Sequence, residues 1–162
     1  MKQRMLVRGG LLLALGLVAQ QLRIFIPLPT LLMTLVIGTL LNCVLVIAAR
    51  HINMTVALLL ALALPVMAFL QGHLPLPLLI PVIFLGNAVL VALCNRWWVK
   101  PIFVLAPIAK TCTLYGVGTL LFMEFGTQDT LVTAVLFGLG WPQLLTAIWG
   151  ILLERYLEKR IF

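Results

Sequence analysis

Residues 101–122 read PIFVLAPIAKTCTLYGVGTLLF, an apolar run broken by one cation, Lys110, with nine residues before it and twelve after it. At 1.5 Å per residue a helix of this length is about 33 Å long, enough to cross a hydrocarbon core of about 30 Å. A charge at the centre of such a span costs roughly 3 kcal/mol on insertion scales. The four acidic residues, Glu124, Asp129, Glu154 and Glu158, stand outside the apolar runs or at their rims. No carboxylate is therefore expected beside Lys110. A bare ammonium group at that depth is expected to face an internal cavity, and its counter-charge to belong to a ligand.

Outward from this stretch the chain repeats the pattern. It has 162 residues, 64% hydrophobic and 9% charged, where a soluble domain is about half apolar and a quarter charged. Six spans are expected at about 5–26, 31–49, 54–70, 78–93, 101–122 and 130–153. They are separated by Pro27-Leu28-Pro29, Arg50-His51, Gln71-Gly72-His73, Asn95-Arg96-Trp97-Trp98 and the stretch around Glu124 and Asp129. The reading is a single all-α integral membrane domain over residues 1–162, six transmembrane helices in one compact bundle. Pro65, Pro107 and Pro142 fall inside spans, where freed carbonyls need other partners and cavities often form. Pro142, next to Trp141, is expected to break the sixth span. The first run, after Met1-Lys2-Gln3-Arg4, has no small-residue cleavage site behind it and is expected to be a retained helix.

Charge orients the spans. With both termini cytoplasmic, the inner segments hold Lys2, Arg4, Arg8, Arg50, Arg96, Lys100, Arg155, Lys159 and Arg160, nine of the eleven basic residues. That satisfies the positive-inside rule, and Trp97 and Trp98 fall in the inner interfacial belt. The net charge of +7 is thus expected to serve topology and anionic headgroups, not nucleic acid. Cys43, Cys94 and Cys112 have no metal or disulfide spacing and are expected to be buried thiols.

Few polar groups lie within the spans: Asn42, Asn87, Lys110, Thr111, Thr113, Tyr115, Gln143 and Thr146. Asn87, Trp141 and Gln143 share a depth with Lys110. Amides offer donors and acceptors, Trp a stacking face and Lys an anion anchor, so these four are candidates for one pocket. Asn42 and Tyr115 are further candidates, with Gln20, Gln21, Arg23, Gln71 and His73 at the rim. Gly10 and Ala14 form a small-x-x-x-small pattern that permits close helix contact. There is no phosphate-binding G-x-x-x-x-G-K-[ST], no H-E-x-x-H and no G-x-S-x-G, so no ATP site, metal site or catalytic grouping is expected in this chain. His51 and His73 fall on opposite faces, which argues against a His-rich metal site.

Pro65–Pro75, Ile83–Val91, Ala109-Lys110 and Gly140–Gly150, taken in order and spacing, resemble the substrate-binding S component of energy-coupling factor (ECF) transporters, vitamin-uptake systems of prokaryotes. The resemblance covers nearly the whole chain. It implies a capture subunit of the cytoplasmic membrane, with an outward pocket drawn from the first loop and spans four to six. It also implies docking on a scaffold transmembrane subunit that carries two ATPase subunits, so that ATP is used by partners and no cofactor is bound by this chain. An A-x-x-x-A pattern on the first helix makes the scaffold contact in that family; Gly10-x-x-x-Ala14 is the nearest match here. Lys110 leans toward an anionic vitamin or precursor. Two other readings remain: a structural six-span protein of the rod-shape-determining type, and a solitary solute facilitator.

Overall fold

The computed structural model describes residues 2–124 and 130–161, and these are almost entirely helical. The helices are α1 (Lys2–Phe25), α2 (Thr30–His51), α3 (Met54–Leu70), α4 (Leu79–Arg96), α5 (Ile102–Glu124), α6 (Thr130–Leu139) and α7 (Trp141–Ile161). Five helical stretches are long and apolar enough to cross a membrane, with α6 and α7 counted as one bent stretch of 31 residues. The remaining helix, α3, has 17 residues, about 26 Å at 1.5 Å per residue. The chain has the helix lengths and apolarity of a multi-pass membrane protein.

Local chemistry sets the helix ends that matter for the site. Asn53 caps α3, its side chain accepting from the Val56 N–H at 2.7 Å; this satisfies one of the first-turn donors. At the other end Gly72 adopts φ +72°. The Gly72 N–H bonds to the Phe69 carbonyl at 3.0 Å and the His73 N–H to the Ala68 carbonyl at 2.8 Å. This is the paired closure that a left-handed residue after a helix allows, and glycine adopts it without a Cβ penalty. It turns His73 back over the bundle. The expected break in the sixth span lies at Gly140. Pro142 has no N–H to donate and sits in the first turn of a new helix, α7, which starts at Trp141, whereas Pro65 and Pro107 are carried inside α3 and α5. Gln143 bonds back to the Gly140 carbonyl at 3.0 Å.

Packing centres on α2, whose most extensive contact is with α7. The approach is close because of Gly150: a Cβ there would lie 2.6 Å from the Asn42 Cβ, 2.9 Å from the Cys43 N and 3.0 Å from the Thr39 O. Around this pair, α1 touches α2 and α3, and α5 touches α4, α6 and α7. Cys43 and Cys94 are buried as expected, whereas Cys112 is exposed on α5.

Candidate functional site

A cavity of about 180 Å³ opens within one half of the bundle. It takes residues from the end of α1, the first half of α2, the end of α3, the start of α4, the middle of α5 and the first turn of α7. The loops 26–29 and 71–78 therefore lie at its mouth, and the helix midpoints form its floor.

Lys110 is on that floor, 2% exposed. Its Nζ donates to Asn42 Oδ1 at 2.5 Å. Asn42 Nδ2 donates to Thr146 Oγ1 at 3.2 Å, and the Thr146 hydroxyl donates to the Gln143 carbonyl at 3.1 Å. This chain of bonds fixes Asn42 with its acceptor end toward the lysine. An amide oxygen accepts one N–H but brings no net charge, and an ammonium group has three donors. Lys110 makes no other hydrogen bond among the described residues, and no ion pair there includes it. Asn87 on α4 is buried and lines the same cavity. The positive end of the α7 dipole begins at the same depth, which also favours negative charge.

At the mouth are Arg23 from the last turn of α1 and His73 from the loop after α3. Burial, and then the charge of Arg23, hold His73 below the usual histidine pKa. The walls between floor and mouth are largely apolar, with Leu41, Leu45, Leu64 and Ile83, and Gln20 beside Leu64. Positive charge at both ends and hydrocarbon between them suit a small anion with an apolar body.

The structure brings together seven of the expected site residues: Lys110, Asn42, Asn87, Gln143, His73, Gln20 and Arg23. Tyr115 and Trp141 stand apart, 49% and 43% exposed on the outside of the bundle. Helical geometry explains both. Tyr115 follows Lys110 by five positions, about 140° around α5, and Trp141 precedes Gln143 by two, about 200° around α7. Trp141 packs edge-on against Phe137 at 5.7 Å instead. Gln71 does not line the cavity; its Oε1 is buried with no partner among the described residues. Gly10 and Ala14 lie on the exposed face of α1, and a Cβ at Gly10 would meet nothing within 4 Å. Of the outer acidic residues, the side chain of Glu124 and all of Asp129 lie outside the described residues.

Sequence reasoning missed a second polar centre at the far end of α2. Glu154 was expected at a rim, but α7 continues to Ile161, so Glu154 is 1% exposed inside the bundle. Arg50 donates to Glu154 Oε1 at 2.6 Å and to Glu158 Oε1 at 2.8 Å, and its guanidinium lies 3.6 Å from the Trp98 ring centroid. His51 Nε2 is 2.8 Å from the same Glu154 oxygen. His51, Glu154 and Glu158 are near enough to share a metal ion. Arg50 already bridges both carboxylates, so the group reads as an ion-pair cluster. Its legible signal was Glu154-x-x-x-Glu158, two acids one turn apart on one helix face, set against Arg50-His51.

Comparison with known proteins gives no assignment: no family model, no curated protein and no solved structure matches the chain.

Proposed function

We propose that this protein is the membrane-embedded capture subunit of an ATP-driven importer of the energy-coupling factor type, binding a small anionic solute, a vitamin or precursor, from outside. The single observation that carries the reading is Lys110: a buried cation at the floor of an open cavity, with an amide and no carboxylate as its partner among the described residues. A lysine serving structure alone would be expected to meet a carboxylate or reach the interface.

Orientation supports the same reading. The cavity lies at the end of the bundle away from Arg50, Arg96 and Lys100, so placing the basic end in the cytoplasm turns the mouth outward. Partner subunits then supply ATP hydrolysis. A structural six-span protein has no use for this cavity. A solitary facilitator would move solute in cells lacking any scaffold, and uptake by the chain alone is the measurement that favours it.

The direct test is binding by the purified protein. Native mass spectrometry looks for a retained small molecule, followed by a thermal-shift screen of vitamins and their acidic precursors. A ligand at a thousand times its Kd stabilises the wild type by about 4 kcal/mol. Lys110→Ala is expected to lose that gain completely. Equal stabilisation of the variant would make the lysine structural and end the proposal.

A further inference from the structure

Lys110 accounts for one wall of the cavity, and Gln20 marks another. Gln20 lies on α1, is 3% exposed and lines the cavity. Its Nε2 donates to the Leu64 carbonyl at 3.0 Å. A carbonyl only accepts, so the amide cannot be turned end for end without losing that bond. Its Oε1 is left buried with no partner among the described residues. Buried polar atoms in folded proteins nearly always find a partner, so an orphan beside a cavity calls for one from within it.

The two walls lack opposite things. Lys110 has donors and positive charge to spare, while Gln20 has an acceptor to spare. Among the described residues helices α1 and α5 are not packed backbone to backbone, and Gln20 and Lys110 are bonded to Leu64 and Asn42, not to one another. A molecule lying between them satisfies both only if it is acidic at one end and carries an N–H or O–H at the other.

We infer that the solute is a small bifunctional acid: an anionic group on Lys110 Nζ, a hydrogen-bond donor on Gln20 Oε1, and between them an apolar body against Leu41, Leu45 and Leu64. This rests on the capture reading and narrows it. Fatty acids and plain hydrocarbon acids are disfavoured, because they leave Gln20 Oε1 unpaired. Hydroxy acids, and acids bearing an amide or ureido N–H, are admitted.

The test uses the full chain in detergent and a panel of small carboxylates, each paired with a twin whose donor is methylated. One such pair is 4-hydroxyphenylacetate and 4-methoxyphenylacetate; another is 5-ureidopentanoate and its fully N-methylated form. The donor-bearing acids are expected to bind the wild type about tenfold more tightly than their twins, the loss of one hydrogen bond to a buried group. In Gln20→Leu that ratio is expected to fall to about one, and Lys110→Met is expected to bind neither. Twins that bind the wild type equally well, still through Lys110, overturn this inference and leave the capture reading intact. If no acid in the panel binds in a Lys110-dependent way, the capture reading itself falls. The wild-type comparison stands whether or not Gln20→Leu folds.

Discussion

Arg50 and Lys110 are two cations drawn into the same bundle, and their surroundings differ in one respect. Arg50 meets two carboxylates, with a Trp98 ring on its face. Lys110 meets one amide oxygen. Arg50 finds its counter-charge in the protein's own residues and ties the end of α2 to α7. The Lys110 site is complete as a hydrogen-bond chain yet incomplete as a charge balance. The difference is one of charge: one end of the bundle gives its cation carboxylates, and the other leaves its cation with an amide beside a cavity.

Removing each cation tests that contrast most strongly. Arg50→Met takes the guanidinium from the buried Glu154 carboxylate and leaves it beside His51; breaking one partner of a buried pair costs up to about 3–5 kcal/mol. Lys110→Met removes a charge whose burial costs roughly 3 kcal/mol, but frees Asn42 Oδ1, an orphan worth about 1–3 kcal/mol. The ligand-free Lys110→Met protein is therefore expected to stay within about 2 kcal/mol of wild type. Chemical denaturation in micelles reads both. Equal losses in the two variants would erase the distinction, since Lys110 would then be as structural as Arg50.

A smaller effect is expected where the two centres share a helix pair. Gly150→Ala pushes a Cβ into the Asn42 Cβ and into the backbone of Cys43 and Thr39, atoms that cannot swing aside. Such overpacking costs about 1–3 kcal/mol. Because the displaced residue is Asn42, acid binding is expected to weaken as well, by calorimetry on the purified protein. Unchanged affinity in a destabilised Gly150→Ala would uncouple the α2–α7 seam from the site.

The smallest effect concerns the mouth. His73 is held below its ordinary pKa by burial and by Arg23. The unfolded chain therefore takes up its proton first as pH falls. The stability His73 contributes is present above the unfolded value, about 6.5, and is lost as pH drops through the lower folded value. His73→Gln is expected to flatten that part of the stability–pH curve. A ligand-free curve unchanged by His73→Gln would remove the mouth from the electrostatic account.

How much was legible follows from the kind of pattern each residue belongs to. The helices were readable because a bilayer admits few backbone solutions, and apolar runs of span length between prolines and basic clusters mark them directly. The break at Gly140 was readable because Pro142, two residues on, lacks an N–H and suits the first turn of a restarted helix, although Pro65 and Pro107 are carried within α3 and α5 without a break. Lys110 was readable because its insertion cost has few remedies. Tyr115 and Trp141 misled because depth along a span says nothing about the direction around it. Glu154 misled because the end of the apolar run at Leu153 was taken for the end of the helix, while the helix itself continued to Ile161.

From composition and order alone came a bundle of membrane-length helices, their approximate ends, and a cation too deep to be incidental. Only the tertiary structure decided that Asn42 and Thr146, 104 residues apart, hold that cation's acceptor in place; that Gln20 Oε1 has no partner among the described residues; and that Arg50 is already paired with Glu154 and Glu158. The physical reason is that burial energies depend on the residue's own chemistry and sum along the chain. Charge compensation depends on which faces of distant helices meet, and that is set by close packing at positions such as Gly150.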